Sequence, residues 1–147
     1  MANRVTPGIK RLLKERKILR IKPDRELVLK EIQGAEYDLE KAKRSMKQSD
    51  FKWATIQAYY AMFHSARALL YSEGYREKSH RSLLIALREL LIKSGKMEEE
   101  LTQNFEDVMD LREEADYGLE FSESGAKEAI AHAKKFLKAS KENLKIQ

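Results

Sequence analysis

The segment from Ser49 to Gly74, SDFKWATIQAYYAMFHSARALLYSEG, is the most apolar part of the chain. Ser49 or Asp50 can cap the start of a helix, and Gly74 can end it. Apolar residues occur almost all round the axis of this helix, which is typical of a helix that is buried on nearly every side. We therefore predict that this segment is the central helix of a helical bundle.

The segments on either side have the spacing of further helices. Before the central helix, apolar residues recur at intervals of three to five residues over 27–46. After it, three more segments with helical spacing cover residues 79–95, 96–118 and 122–144. No segment has the alternating period of a strand. The predicted fold class is all-α, an up-and-down bundle of four to five helices with an extra N-terminal basic helix or arm.

The N-terminal segment carries the positive charge of the chain. Of the 29 Lys and Arg residues and the 24 Asp and Glu residues, nine and two lie within residues 1–25, which leaves 20 and 22 for the remainder. Thr6 and Pro7 can begin a short amphipathic helix here. We expect a basic arm or helix at residues 1–22 and a helical bundle at residues 23–147. The arm either docks on the bundle or contacts an RNA backbone, and its candidate contacts are Arg11, Lys14, Arg16 and Lys17.

Several classes of protein are excluded by composition and motifs. The chain has no cysteine, which removes disulfides, thiolate metal sites and cysteine nucleophiles. No apolar run approaches the roughly 20 residues that span a bilayer, and the basic N-terminus lacks the apolar region of a signal peptide. There is also no glycine-rich phosphate loop, no serine nucleophile motif and no zinc-binding spacing of the histidines. We expect a cytoplasmic protein without a membrane contact, a metal ion or a cofactor.

The sequence VMDLREEADYGLE, residues 108–120, poses an electrostatic problem. At helical spacing Arg112 falls between the members of an apolar stripe, and burying a guanidinium costs several kcal/mol unless a partner compensates it. Asp116 is one turn later and can be that partner. The pair either only anchors two helices, or it holds Arg112 at a helix or subunit contact where the guanidinium binds a phosphate. The stripe consists of Leu101, Phe105, Val108, Leu111, Ala115 and Leu119.

A second set of polar residues shares one side of the central helix. Its members recur at i, i+4, i+7 and i+11, which places them in one row. The row is either the amphipathic rim of a core helix, with tyrosine hydroxyls pointing outward, or the lining of a cleft. Its members are Tyr60, His64, Arg67 and Tyr71.

Three motifs carry a resemblance to a known family. They are AYYAMFHSARALLYSEG at residues 58–74, KSH at 78–80 and LREEADYG at 111–118. In this order and spacing they resemble the HEPN domains of bacteria and archaea, most closely the small stand-alone branch that is often encoded beside a minimal nucleotidyltransferase. The resemblance runs from about Leu27 to Leu144. It implies a bundle of four or five helices that forms a two-fold dimer.

The resemblance also implies an active site. In that family an arginine followed four to six residues later by a histidine marks metal-independent endoribonucleases, with two copies meeting at the dimer cleft. Arg112 matches the arginine, but this chain has Asp116 and Tyr117 where the histidine is expected. Imidazole suits acid–base chemistry near neutral pH, whereas a phenol has a pKa of about 10. His80 or His64 could supply an imidazole from a neighbouring helix. The candidate catalytic residues are Arg112, Asp116 and Tyr117, and the candidate substrate-binding residues are Tyr60, His64, Arg67 and His80.

Two functions follow from these residues and this resemblance. The first is a toxin-like protein that interacts with RNA or a nucleotide, paired with a minimal nucleotidyltransferase, and acting as an endoribonuclease in which Arg112 clamps the scissile phosphate. The alternative is a non-catalytic nucleotide-binding partner of the nucleotidyltransferase, or a subunit that accepts AMP on Tyr117. A third interpretation is a helical scaffold. The expected partners are a second copy of the chain, the nucleotidyltransferase and RNA or a nucleotide.

Overall fold

The computed structural model describes residues 5–118 and 120–147, and within them the predicted all-α bundle is confirmed. The described residues form six α-helices and two three-residue strands. The helices are α1 (Pro7–Lys14), α2 (Arg25–Lys47), α3 (Phe51–Ser72), α4 (His80–Leu87), α5 (Glu99–Tyr117) and α6 (Glu123–Leu144). The strands are β1 (Ile18–Arg20) and β2 (Tyr75–Glu77). None of the helices in the described ranges combines the length and the apolar composition that a bilayer span requires.

Helix α3 is the centre of the bundle, as its composition predicts. It packs against α2, α4, α5 and α6. The Asp50 side chain caps its first turn by accepting from the Trp53 N–H at 3.3 Å, and Gly74 follows its end with a positive φ of 87°. Between the first and last turns of α3, the residues that are not buried lie on one strip of its surface: Trp53, Gln57, Tyr60, His64 and Arg67.

Helix α1 packs on the bundle through its apolar side. The hydroxyl of Thr6 accepts from the N–H of Ile9 at 3.2 Å, which is the predicted cap. Ile9 and Leu12 are buried in the core, and so is Ile18 in β1. The basic side chains of α1 therefore remain on the outer face of the molecule.

The two strands differ from the sequence prediction, which contained no strand. β1 and β2 form an antiparallel pair in which Ile18 is opposite Glu77 and Arg20 is opposite Tyr75. Each strand has three residues, which is too short to show an alternating pattern in the sequence. The pairing joins the segment after α1 to the segment after α3, and it leaves the side chain of Leu19 exposed.

Two other predicted segments are modified in detail. Ser79 caps the helix predicted over 79–95, and its side chain forms a capping box with that of Ser82. A π-helical turn at Arg88–Ile92 replaces the second half of this helix. In the stripe predicted for α5, Leu111 is only half-buried, whereas the other described members are buried. Leu119 of that stripe lies outside the described residues.

Candidate functional site

Arg112 lies where α5 packs against α3. Its side chain is only 12% exposed. Its guanidinium carbon is 4.9 Å from the centre of the Tyr59 ring and 5.9 Å from that of Tyr60. Because an aromatic face attracts a cation, these two neighbouring tyrosines replace part of the water that would otherwise surround the guanidinium.

The ion pair of Arg112 with Asp116 is weak. The Nη1 nitrogen of Arg112 donates to Oδ2 of Asp116 at 3.4 Å, which is long for a hydrogen bond, and the Asp116 side chain is substantially exposed. The Nε of Arg112 is buried and has no hydrogen-bond partner among the described residues. A guanidinium has five N–H donors, so Arg112 keeps donors at its outer end that an anion can take.

His80 completes the group on the other side of Tyr59. Its Nδ1 lies 2.5 Å from the hydroxyl oxygen of Tyr59, and its ring centre is 4.3 Å from that of Phe63. Burial lowers the pKa of His80, and the positive charges of Arg112 and Arg67 lower it further. Burial also raises the pKa of Tyr59, so its phenol stays protonated. His80 is uncharged near pH 7, and in the tautomer whose Nδ1–H donates to the Tyr59 oxygen, Nε2 is unprotonated and can accept a proton.

His64 and Arg67 lie further along the strip and are held by carboxylates. Nδ1 of His64 is 2.7 Å from Glu31 of α2, and its Nε2 is 3.5 Å from Asp38. Arg67 lies 3.2 Å from Glu31 and 3.1 Å from Glu77 of β2. This network connects α2, α3 and β2. Arg67 also hydrogen-bonds the hydroxyl of Tyr71, the last member of the predicted row.

The structure thus divides the residues predicted from sequence into two neighbouring groups. Arg112, Tyr60 and His80 come together, since the ring centre of Tyr60 is also 6.3 Å from that of His80. His64 and Arg67 belong to the carboxylate network. Tyr117 lies on the last turn of α5 with 77% of its side chain exposed.

Tyr59 was not among the residues that the sequence singled out. It is fully buried, its ring faces the guanidinium of Arg112, and its hydroxyl is hydrogen-bonded to His80. A buried tyrosine usually has a hydrogen-bond partner for its hydroxyl. The adjacent Tyr59 and Tyr60 in the apolar central helix were therefore the feature of the sequence that could have indicated such a contact. The partner is 21 residues away in the chain, and helical spacing alone does not reveal it.

Comparisons with known proteins agree with this architecture. A model of the HEPN domain matches residues 28–144, which confirms the resemblance found in the sequence. A Thermotoga maritima protein named UPF0332 protein is 33% identical over 103 residues, which are 69% of this chain and 78% of that protein. An Archaeoglobus fulgidus protein of the same name is 32% identical over 112 residues, 75% of this chain and 89% of its own length.

A third relative has a name that refers to function. This Methanocaldococcus jannaschii protein is named as a candidate toxin, and it is 32% identical over 130 residues, 88% of this chain and 97% of its own length. Taken with the domain match over 28–144, these relatives establish that the chain belongs to the HEPN domain family.

Proposed function

We propose that this HEPN protein is a toxin-like protein that binds RNA and cleaves it without a metal ion, as a dimer in the cytoplasm, and that a minimal nucleotidyltransferase neutralises it. Two relatives named as candidate toxins support the toxin-like function. The observation that carries the chemistry is the partly buried, weakly paired guanidinium of Arg112 beside the neutral imidazole of His80.

The proposed reaction is an attack by the ribose 2′-hydroxyl on the adjacent phosphorus. The outer N–H groups of Arg112 hold the non-bridging phosphate oxygens and stabilise the charge that develops on them, while Asp116 orients the guanidinium. His80 removes the proton of the 2′-hydroxyl. The bond from the 2′-oxygen to phosphorus forms as the bond to the 5′-oxygen breaks, and the phenol of Tyr117 donates a proton to that leaving oxygen. The products are a 2′,3′-cyclic phosphate and a free 5′-hydroxyl.

The remaining candidate residues are assigned to substrate binding. Tyr60 offers an aromatic edge beside Arg112, where a base next to the scissile phosphate can pack. His64 and Arg67 continue the same strip of α3. Arg67 would contact the RNA through the N–H groups that Glu31 and Glu77 leave free. The two ring nitrogens of His64 already lie beside carboxylates, so this residue would contact the RNA through its ring.

The basic arm contributes less charge than its composition indicates. Glu15 pairs with Arg11 at 3.2 Å and with Lys17 at 3.3 Å. In the described part of the chain, Lys14 and Arg16 form no ion pair and are exposed. We propose that these two residues contact the RNA backbone, since phosphate binding needs cations that are not already neutralised.

The test is an RNA cleavage assay with the purified full-length protein. Total RNA and tRNA are incubated in the presence of EDTA, and the 3′ ends of the products are analysed for cyclic phosphate. Arg112→Ala is expected to abolish cleavage, whereas Arg88→Ala, which removes a guanidinium paired with Glu106 at 3.0 Å on another face of α5, is expected to preserve it. Equal residual activity of wild type and Arg112→Ala would exclude catalysis at this site.

A second candidate function is favoured by the exposure of Tyr117. With 77% of its side chain accessible at the end of α5, its phenol can enter the active site of another enzyme. In this alternative, the Tyr117 oxygen attacks the α-phosphorus of ATP bound by a nucleotidyltransferase, pyrophosphate leaves, and a base on that enzyme takes the phenolic proton. The added AMP would then control the activity of this HEPN protein.

Mass spectrometry distinguishes this alternative. The protein is co-expressed with the product of a neighbouring nucleotidyltransferase gene, and the intact mass is measured. An added AMP group that disappears in Tyr117→Phe but persists in Tyr37→Phe, another exposed tyrosine, supports modification at Tyr117. An unmodified chain that neither copurifies with the enzyme nor binds a nucleotide contradicts it.

A further inference from the structure

Two aromatic side chains are exposed on the face shared by α2 and α3. Trp53 of α3 is 50% exposed, and Tyr37 of α2 is 63% exposed. Large aromatic side chains usually bury most of their surface in a fold, so two exposed rings on one face are a distinct feature. Neither ring takes part in the proposed chemistry at Arg112.

The side chain of Gln57 links α2 to α3 between these two rings. In the amide orientation that satisfies both of its ends, its side-chain nitrogen donates to the carbonyl of Lys41 at 3.0 Å and to that of Trp53 at 3.2 Å. Tyr37 is one helical turn before Lys41 on α2, so its side chain shares a face with that residue. Tyr37 and Trp53 therefore lie on the same surface, one on each side of Gln57.

Unpaired cations lie against both rings. Nζ of Lys41 is 5.4 Å from the centre of the Tyr37 ring, and Nζ of Lys52 is 6.0 Å from a ring centre of Trp53. Arg44 is three residues after Lys41 on the exposed side of α2. Within the described ranges none of these three cations forms a salt bridge. The surface thus combines exposed aromatic rings with positive charge that no salt bridge neutralises.

The nearby carboxylates do not neutralise these cations. Asp50 is the cap of α3 and accepts from its backbone. Asp38 is directed toward His64 at 3.5 Å, and Glu40 pairs with Lys43 at 3.0 Å. The chemistry that complements this surface is therefore an aromatic group with a negative charge close to it, which is the repeating unit of a nucleic acid strand.

We propose that this surface, formed by Tyr37, Lys41, Lys52 and Trp53 and called the stacking surface below, binds single-stranded RNA by stacking bases on its rings and pairing phosphates with its lysines. The inference rests on the proposed function, because it assigns the surface to the RNA that Arg112 cleaves. Bases inside a duplex are not available for stacking on protein side chains, so the preferred ligand is a single strand.

The position of Trp53 connects the stacking surface to the candidate site. Trp53 and Tyr60 belong to the same unburied strip of α3 and are seven residues apart, about 11 Å along the helix axis. Tyr60 in turn contacts Arg112. One strand that stacks on Trp53 can therefore extend along the strip and present a phosphate to Arg112.

Trp53 provides the readout for the first experiment, since it is the only tryptophan of the chain. Its fluorescence is titrated with a short 2′-O-methyl oligoadenylate, which cannot be cleaved because it lacks a free 2′-hydroxyl. We expect saturable quenching by this oligonucleotide. A duplex of the same length and inorganic polyphosphate, which share the charge but not the free bases, are expected to quench much less.

Variants test the same surface through the affinity for fluorescein-labelled oligoadenylate, measured by anisotropy. Trp53→Ala and Tyr37→Ala are each expected to weaken binding about tenfold, because one stacked base contributes about that factor. Trp53→Phe keeps an aromatic face and is expected to retain most of the affinity. Lys41→Gln is expected to reduce the salt dependence of binding, and Lys138→Gln on α6 is the matched control without an effect.

The outcomes separate this inference from the proposed function. Quenching by RNA without cleavage supports the stacking surface and contradicts the proposed catalysis. Cleavage that Trp53→Ala leaves unchanged, with no quenching by oligoadenylate, overturns the stacking surface and leaves the proposed function intact. In a third outcome, Trp53 emission changes with protein concentration in the absence of RNA, and the solution mass of the protein shows an association that Trp53→Ala abolishes. This result would overturn the RNA assignment and assign the surface to contact between two copies of the chain.

Discussion

The hydroxyl oxygen of Tyr59 lies 2.5 Å from Nδ1 of His80 and joins the buried centre of α3 to the first residue of α4. The same tyrosine ring faces the guanidinium of Arg112 from α5. One buried side chain therefore sets the relative position of a cation and an imidazole that belong to two different helices. The candidate site depends on this tyrosine, although the proposed reaction does not involve it directly.

Tyr59→Phe is expected to reduce RNA cleavage about tenfold and to lower the free energy of unfolding by about 1 kcal/mol. The substitution keeps the ring beside Arg112 but removes the hydrogen bond that orients His80, and a lost hydrogen bond costs about this much. Urea denaturation and the cleavage rate measure the two effects. Tyr75→Phe is the matched control: its buried hydroxyl has no partner in the described part of the chain, so this change is expected to be neutral or stabilising.

Arg112→Met is expected to abolish cleavage while changing the free energy of unfolding by less than about 1 kcal/mol. A flexible apolar side chain can replace the guanidinium between the tyrosine rings, and the ion pair that is lost is long and partly exposed. Arg112→Lys retains the charge but not the two parallel donors, so we expect a large loss of cleavage here as well. A strongly destabilised Arg112→Met together with a fully active Arg112→Lys would show that the residue is architectural.

His80 is expected to titrate below its ordinary pKa of about 6.5, because burial and the charges of Arg112 and Arg67 disfavour its protonated form. NMR titration of the His80 ring measures this directly. Arg112→Gln removes one of these charges and is expected to move the titration to higher pH, whereas Lys138→Gln is not. If His80 acts as the base, cleavage by the wild type falls as the pH decreases through this lowered pKa and is already maximal near pH 7.

The same shift has a consequence for stability. The unfolded chain binds a proton on this histidine at about pH 6.5, whereas the folded chain binds it only at lower pH. Protonation therefore favours the unfolded state, and stability decreases as the pH falls from about 6.5 toward the folded pKa. Chemical denaturation at a series of pH values is expected to show a smaller decrease in His80→Asn than in the wild type. An equal decrease in both proteins would contradict a lowered pKa of His80.

Much of the fold could be predicted from the sequence, because the signals for a helix lie in residues that are close together in the chain. The caps at Thr6, Asp50 and Ser79 and the near-continuous apolar surface of α3 are properties of adjacent residues, and the structure contains each of them. The strands β1 and β2 could not be predicted, since three residues carry no period and their pairing joins segments more than 50 residues apart.

The candidate site was predicted only in part for a similar reason. Arg112 and Asp116 are one helical turn apart, so their contact follows from spacing alone. The contact between Tyr59 and His80 depends instead on how α4 packs against α3, which no local pattern specifies. Likewise, the row of Tyr60, His64 and Arg67 was visible in the sequence, but the carboxylates of Glu31 and Glu77 that hold Arg67 come from α2 and β2.

The two roles considered for the N-terminal segment can be separated by substitution. Ile9→Ala is expected to lower the free energy of unfolding by about 2–4 kcal/mol, because it leaves a cavity where a buried side chain contacts the core.

Lys14→Gln combined with Arg16→Gln is expected to leave stability unchanged and to reduce the salt dependence of RNA binding, since both cations are exposed and unpaired among the described residues. Arg11→Gln with Lys17→Gln is the matched pair, and it is expected to have a smaller effect because Glu15 already offsets part of the charge of these cations. Equal effects of the two pairs on RNA binding would show that the segment contributes only its total charge.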